Sequence, residues 1–374
     1  LEYFTEIILA LPKDTVEKHY QSLQDVIDTL GMNNIDVHQL TLLKGSQLDT
    51  VQQRVLWLAT LMIHHANQVR PNSDEVKVGG HQASSASVVS IMTALYFHFL
   101  RSGDRVSIKP HASPVFHAIQ YLLGQLPQEY LTMFRSYGGL QAYPSRTKDP
   151  DIVDFSTDSV GLGAVAPAFG ALAHRYAMSH FGQVNSRRFV GLIGDAELDE
   201  GNVWEAILEQ TLTGLENLLW IVDLNRQSLD RVVPGIRAGQ LERLFEESGW
   251  QVLEAKYGRI LQGLFEQPGG AALHRRIDEM DNEEYQALIR LPGEQLRSRL
   301  VSVDGVDDAE VASVIQDIPD DQLPSVLSNL GGHDLEELLT VLSQVDDDER
   351  PTIIFAYTVK GWGTPIAGHP LNHS

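Results

Sequence analysis

Apolar and polar positions along this chain follow two different periods, and these predict helices and strands in turn. In the first 75 residues apolar side chains recur every three or four positions, which predicts helices at 13–30 and 52–69. The second of these helices is closed by Arg70-Pro71. From about residue 79 to 260 short apolar runs alternate with helical stretches. This alternation predicts an α/β fold, with a parallel sheet and helices on both of its faces.

The same pattern predicts the bounds of the elements and of the domains. We expect strands at 105–109, 188–193, 218–224, 250–255 and 352–359, and helices at 86–100, 115–123, 160–178 and 202–212. We expect a helical N-terminal segment at 1–75 and an α/β domain at 76–374, interrupted at about 260–350 by an acidic, mostly helical insertion. The charge of the insertion is typical of a solvated face, and a partner-binding surface is the alternative.

Charge and composition narrow the classes of function. A net charge of −22 over 374 residues argues against a surface for nucleic acid or for an anionic membrane. The absence of Cys excludes disulfides, thiolate catalysis and Cys-ligated zinc, and it is most compatible with a reducing cytoplasm. The start of the chain lacks a basic leader, so we expect no signal peptide. Residues 160–178 approach the length of a membrane span but contain Gly, Pro, His and Arg, which predicts a buried helix of a soluble core.

Two polar residues follow consecutive strands of the predicted sheet. Asp195 comes after Gly194 at the end of one apolar run, and Asn225 ends the next. Because parallel strands joined by a crossover helix end at one edge, we expect both side chains there, where ligands bind in open α/β sheets. A carboxylate and an amide oxygen suit a hard cation that also binds phosphate, and Gly194 allows a diphosphate to approach the backbone. An ordinary strand–helix–strand unit with a capping Asp and a turn Asn is the alternative.

Two further loops place a His at the boundary of a predicted element. Gly79-Gly80-His81 precedes a helix, and Lys109-Pro110-His111 follows a strand. Either His alone is typical of a surface or capping residue, but the two loops together with Asp195 and Asn225 indicate a shared site. The segment from Gly161 to Ala166 fits a dinucleotide fingerprint, but no apolar strand precedes it, so we reject that interpretation. His369 and His373 lack the Glu of a zinc-protease helix.

Together these motifs resemble the thiamin-diphosphate-dependent first component of pyruvate dehydrogenase, of the homodimeric type within the transketolase-like group. The matching segments are Gly79-Gly-His-Gln-Ala-Ser84, His111-Ala-Ser-Pro114, Tyr143-Pro144, Val160-Gly-Leu-Gly163 and Asn225-Arg-Gln227-Ser-Leu-Asp230. The last of these distinguishes the pyruvate dehydrogenase component from transketolases proper. The chain departs from the family at Ala196, which replaces the second Gly of Gly-Asp-Gly, at Lys109, which is commonly Gln, and in the weakly similar insertion.

The resemblance implies thiamin diphosphate and Mg²⁺ as cofactors and assigns residues to both. The implied metal ligands are Asp195, the side chain of Asn225 and the main-chain carbonyl of Gln227. The residues implied to line the cofactor are Ser84, Lys109, His111, Tyr143, Val160, Gly161, Gly194, Ala196, Glu197, Asn225 and Lys360. His81, His111 and His373 are implied to transfer protons, which suits a side chain that titrates near neutrality. Glu200 matches an acidic position after the Asp195 loop.

The implied activity is decarboxylation of a 2-oxoacid such as pyruvate, with transfer of the acyl unit to the lipoyl groups of an acyltransferase. The implied assembly is a homodimer completed by a pyrimidine-binding domain or subunit that supplies an activating Glu, so we expect this chain alone to be inactive. A transketolase-like transfer of two-carbon units between sugar phosphates is the main alternative. It requires Arg and Lys around a phosphate, and the sequence shows no basic cluster near the two His loops. A scaffold without activity is a third possibility.

Overall fold

Five parallel strands form the central sheet of the protein. A computed structural model describes residues 45–71, 78–158, 160–182, 187–225, 227–228, 231–232, 238–303, 305–345, 349–370 and 372. The strands are β1 (Arg105–Ser107), β2 (Phe189–Gly194), β3 (Leu218–Leu224), β4 (Gln251–Ala255) and β5 (Thr352–Tyr357). They lie in the order β1-β2-β3-β5-β4, and every pairing is parallel. The prediction of an α/β fold with a parallel sheet is therefore confirmed.

Fourteen α-helices are assigned among the described residues. In chain order they are α1 (Ser46–His64), α2 (Gln82–Ala86), α3 (Val89–Ala94), α4 (Ser113–Leu122), α5 (Leu162–Phe181), α6 (Gly201–Ile207), α7 (Ala238–Glu247), α8 (Arg259–Phe265), α9 (Gly270–Glu279), α10 (Asn282–Leu288), α11 (Gly293–Val301), α12 (Ala309–Ile315), α13 (Leu323–Leu327) and α14 (Leu335–Leu342). Two short antiparallel pairs of strands are also present, 227–228 with 231–232 and 302–303 with 306–307. The insertion predicted as mostly helical contains α8 to α14.

Helices cover both faces of the sheet because side chains of alternate strand residues point to opposite sides. In β2, Val190 and Leu192 belong to one apolar core, and Phe189 and Ile193 belong to the other. The first core is completed by α1, α3, α4 and α14. The second is completed by α5 to α13, so nearly all of the insertion packs on one side of the sheet.

Helix α5 differs from its prediction on one face. The sequence predicted a buried helix at 160–178, and the inward side is indeed buried at Ala164, Ala168 and Ala171. The outward side exposes Leu162, Phe169 and Tyr176, so the prediction of full burial is wrong for that face.

Among the described residues, every helix is too short or too polar to cross a membrane. The helix predicted at 13–30 lies outside the described residues.

Candidate functional site

Asp195 and Asn225 leave the sheet at the same edge, as predicted. Gly194 at the end of β2 pairs with Asp223 in β3, so Asp195 lies one residue and Asn225 two residues beyond that pair. The Asn225 Nδ2 donates to Asp223 Oδ2 at 3.2 Å, which fixes the orientation of the amide. Asp195 Oδ1 accepts from the Ala196 N–H at 2.9 Å. The side-chain oxygens of both residues therefore belong to one carboxyl edge, with the main chain of Gln227 just beyond it.

A buried carboxylate, Asp223, joins four segments directly beneath this edge. Its side chain is fully buried. Its Oδ2 accepts from Ser87 Oγ at 2.7 Å and from the Lys109 ammonium, and its Oδ1 accepts from the Thr358 hydroxyl. Burial alone raises the pKa of Asp223, but Lys109 and the hydroxyl donors more than offset this, so its pKa lies below its usual value. The charged side chain of Asp223, in β3, thus holds together the end of α2, the loop that carries His111 and the end of β5.

Glu197 also joins two segments of the site, the end of β2 and the N-terminal end of α5. Its Oε1 accepts from the Gly194 N–H and its Oε2 from the Gly161 N–H, both at 2.9 Å. Burial raises the pKa of Glu197, while the two N–H groups and Lys109 lower it in part. The carboxylate therefore holds the N-terminal end of α5 against the end of β2.

His81 and His111 face each other across the two predicted loops. Their ring centroids lie 5.6 Å apart, with the ring planes at 73°. The loop before His81 is held by Asn67, whose Oδ1 accepts from the Gly79 N–H at 2.6 Å and whose Nδ2 donates to the Gly80 carbonyl at 3.2 Å. The sequence analysis missed Asn67, because an Asn within a helix gives no signal of a contact with a distant loop.

A cation that the sequence analysis also missed lies against the loop that precedes His81. Arg135 is the only non-glycine among the described residues with a positive φ, 53°, a conformation that is strained for an L residue and is often found at functional sites. Its Nη1 donates to the Val78 carbonyl at 3.1 Å, and its guanidinium packs against Gly80. Burial lowers the pKa of Arg135, and Tyr143 offsets part of the shift. The sequence shows no basic cluster near the two His loops, and Arg135 is a single basic side chain that approaches the first of them in space.

The turn after β5 brings Lys360 to the same edge. Lys360 is buried, and its carbonyl accepts from the Gly368 N–H at 2.9 Å. The Gly361 N–H donates to the Ala83 carbonyl at 2.9 Å, which ties this turn to the helix that follows His81. From the insertion, His333 reaches the same turn and accepts from the Val359 N–H at 2.7 Å.

The structure therefore gathers most of the predicted residues around one edge of the sheet. Hydrogen bonds and one ring contact link the segments that carry His81, Ser84, Lys109, His111, Gly161, Gly194, Asp195, Ala196, Glu197, Asn225 and Lys360. Tyr143 and Val160 are more exposed. Lys109, predicted to line the cofactor, directs its ammonium to Asp223. Gln227 is described through its main chain only, and His373 lies outside the described residues.

Comparison with known proteins identifies the family of this chain. A family model described as 1-deoxy-D-xylulose-5-phosphate synthase matches residues 62–331. The chain belongs to this family. Among curated proteins, the chain is 29% identical over 286 residues to the pyruvate dehydrogenase E1 component of Cupriavidus necator. It is 31% identical over 264 residues to that of Mycobacterium tuberculosis. The resemblance to the pyruvate dehydrogenase first component is thus confirmed as a similarity of sequence.

The shared part is a fraction of each of these relatives. The two alignments cover 72% and 67% of this chain, but only 31% and 28% of the relatives' lengths. Among solved structures, transketolase from Campylobacter jejuni matches with a TM-score of 0.59 at 19% identity, and it covers 88% of this chain and 40% of that one. Transketolase from Leishmania mexicana matches with a TM-score of 0.56 at 18% identity, covering 88% and 39%. At these identities the structural matches show a common fold.

Proposed function

We propose that this chain is the diphosphate- and magnesium-binding part of a thiamin-diphosphate-dependent 2-oxoacid dehydrogenase that acts on pyruvate. The observation that carries the proposal is the position of Asp195 and Asn225 after adjacent parallel strands. His81 and His111 face each other on loops tied to the same edge through Asp223 and Lys109. Sequence similarity to two pyruvate dehydrogenase E1 components supports the choice of substrate class.

The residues at this edge fit the magnesium diphosphate group. Asp195, Asn225 and the Gln227 carbonyl form an all-oxygen set, which suits Mg²⁺. A Cβ placed on Gly194 would meet its nearest atoms, Glu197 Oε1 and Lys109 Cδ, at 3.8 and 3.9 Å, which is ordinary van der Waals contact, so the space beside this backbone admits a methyl-sized group. Ala196, which departs from the usual glycine, has a negative φ, so the loop does not require Gly there.

Each group has a distinct task in the proposed mechanism. Asp195, Asn225 and Gln227 hold Mg²⁺, and Ser84, Tyr143, Val160, Gly161, Gly194, Ala196, Glu197 and Lys360 enclose the cofactor. Lys109 supports the edge as the buried partner of Asp223 and so offsets negative charge beneath a diphosphate. When bound, thiamin diphosphate supplies the electron sink for decarboxylation. His81, His111 and His373 hold and move protons at the substrate oxygens, because imidazole titrates near neutrality.

The proposed enzyme is a cytoplasmic homodimer in which a pyrimidine-binding domain or subunit completes the site, and lipoyl groups of an acyltransferase accept the acyl unit. The outward face of α5 supports the dimer. Leu162, Phe169 and Tyr176 recur along this face at 42%, 43% and 57% exposure, and residues 160–174 hold no Asp, Glu, Lys or Arg. A charge-free apolar stripe on a chain of net charge −22 suits an apolar partner such as its own copy. Sedimentation of the Phe169→Glu variant tests this, with dissociation as the expected result.

Transketolase-like transfer between sugar phosphates remains the second candidate, and Arg135 is the observation that favours it. Its guanidinium beside Gly80 suits the phosphate of a sugar phosphate. Turnover by the full-length protein of pyruvate, compared with turnover of a ketose phosphate, separates the two candidates.

Calorimetric titration of the full-length protein with thiamin diphosphate and Mg²⁺ tests the site itself. Asp195→Ala removes the anionic metal ligand, and by analogy with a broken buried ion pair we expect a loss of about 3–5 kcal/mol, at least a hundredfold in affinity. The neighbouring Ala196→Gly is the matched control and should bind within about threefold of wild type, roughly 0.6 kcal/mol. Equal affinities for Asp195→Ala and wild type would place the metal site elsewhere.

A further inference from the structure

The insertion touches the candidate site through a second Gly-Gly-His segment, at Gly331–His333. A Cβ on Gly331 would lie 2.4 Å from the Ala255 carbonyl carbon, and one on Gly332 would lie 2.5 Å from the Tyr357 carbonyl oxygen. Only glycine allows so close an approach to the ends of β4 and β5. The two glycines therefore deliver His333 to the carboxyl edge of the sheet.

His333 contacts both ends of the turn that follows β5. Its Nε2 accepts from the Val359 N–H at 2.7 Å, and its ring stacks on Trp362 with centroids 4.8 Å apart and planes at 12°. The Trp362 N–H donates to the Val359 carbonyl at 3.0 Å, so these two residues close a four-residue turn. Lys360 and Gly361 occupy its centre, and Gly361 has a φ of 82°.

This turn is a junction between the insertion and the His81 loop. The Gly361 N–H donates to the Ala83 carbonyl, two residues after His81. Thr358, just before the turn, donates to Asp223. A change in the conformation of the turn therefore moves Lys360 and disturbs the contacts of two segments of the candidate site.

We infer that His333 is a positioning residue, which holds the turn from Val359 to Trp362 so that Lys360 and the His81 loop keep the geometry needed to bind the cofactor. The inference rests on the proposed function for the identity of that cofactor. It assigns a role to the insertion, whose end would then be part of the support of the site.

The chemistry of the ring matches this role. An imidazole nitrogen that accepts an N–H bond must be unprotonated, so the neutral ring of His333 carries its proton on Nδ1. Burial lowers the pKa of His333 to about 3, against an opposing effect of Asp223. Nδ1 is buried and has no hydrogen-bond partner among the described residues. An unpaired buried donor is unfavourable, which indicates that the position of the ring is fixed by its two other contacts.

Two variants of His333 in the full-length protein separate these two contacts. His333→Phe keeps a flat ring against Trp362 but removes the acceptor for Val359, whereas His333→Gln keeps an acceptor near the Nε2 position but removes the ring. The matched control is His174→Phe, a buried His of α5 that packs 5.6 Å from Phe189 at the opposite end of the sheet. Hydrogen exchange of the 359–362 peptide and calorimetric titration with thiamin diphosphate and Mg²⁺ are measured for each.

We expect His333→Phe to speed exchange at 359–362 and to weaken cofactor binding at least tenfold, while His333→Gln stays within about threefold of wild type, roughly 0.6 kcal/mol. His174→Phe should leave both readouts unchanged even if it lowers the unfolding temperature. Wild-type exchange and affinity in His333→Phe, or an equal loss in the control, would overturn the inference. A wild-type protein that binds no cofactor would overturn the proposed function instead, and the exchange result alone would then decide the role of His333.

Discussion

The carboxyl edge of the sheet buries an ion pair, whereas the inserted helices carry an ion pair that is exposed to solvent. At the edge, the Lys109–Asp223 pair has side-chain exposures of only 8% and 0%, and Ser87 and Thr358 donate to the same carboxylate. In the insertion, Arg297 meets Asp320 at 2.7 Å with exposures of 28% and 48%. Buried pairs are expensive to desolvate and tolerate no missing partner, whereas surface pairs contribute little. At the edge, the buried ion pair therefore fixes the positions of the segments that it joins. The insertion is instead stabilised by apolar packing at residues such as Leu296 and Val311.

The largest effect should come from removing the carboxylate of Asp223. Asp223→Ala leaves the Lys109 ammonium buried without its partner, and we expect a loss of about 3–5 kcal/mol in the free energy of unfolding. Denaturant unfolding of the full-length protein measures it. The control is the double variant Lys109→Met with Asp223→Leu, which replaces the pair with apolar side chains and should recover most of the loss. A single variant as stable as wild type would show that the pair is dispensable.

The second effect concerns the contact between the two regions. Gly332→Ala places a Cβ 2.5 Å from the Tyr357 carbonyl oxygen, so the backbone must shift, and we expect a loss of about 1–3 kcal/mol. Gly263→Ala is the matched control, because no atom lies within 4 Å of its Cβ in α8. It should stabilise the protein by about 0.5–1 kcal/mol. Thermal unfolding of both variants gives the comparison, and a destabilised Gly263→Ala would contradict the assumption of open space.

A pair of carboxyls on α7 and β4 should give a smaller, pH-dependent effect. Burial and the neighbouring Glu254 raise the pKa of Glu242 to about 7 from an ordinary value of 4.5. A raised pKa stabilises the fold fully below pH 4.5, and this contribution is lost as the pH rises through 7. Because Glu242 is partly exposed, we expect about 1 kcal/mol after solvent screening. Glu242→Gln should flatten stability between pH 4.5 and 7, and an unchanged slope there would exclude this pair as its cause.

The smallest effect is expected on the surface of the insertion. Asp320→Ala removes one half of the exposed pair with Arg297, whose guanidinium also donates to the carbonyls of Ile315 and Ile318. The change in the free energy of unfolding should be at most about 0.5–1 kcal/mol, and it should shrink in high salt. Denaturant unfolding in low and high salt checks both statements. A loss comparable to that of Asp223→Ala would remove the contrast between the regions.

Local features of this fold were predictable from sequence, whereas the order of the strands was not. The apolar run at 218–224 became β3 without a shift of either end, because a fully buried parallel strand is apolar throughout. The position of β5 between β3 and β4 has no local signal, because it depends on packing between segments separated by the whole insertion.

In the candidate site, too, some residues were predictable from the sequence and others were not. Asp195 and Asn225 were predictable because each directly follows an apolar run, and strand connectivity brings such ends together. The role of Lys109 was not, because its partner Asp223 lies inside an apolar strand and gives no sign of the ammonium that neutralises it. His333 did leave a signal, since Gly-Gly-His at 331–333 repeats the tripeptide at 79–81, but nothing in the sequence indicates that His333 and Ala83, just after the first tripeptide, contact the same turn.

The late position of β5 in the chain has a consequence during biosynthesis. A ribosome releases β3 and β4 well before Thr352, yet these two strands have no hydrogen bonds to each other and both wait for β5. During that interval the edges of β3 and β4 that will bind β5 are unpaired, and they can pair with strands of other nascent chains. The intervening helices fold from local contacts and so can form before the last strand arrives. A longer insertion would lengthen this interval, so it would lower the yield of folded protein before it lowers the stability of the finished molecule.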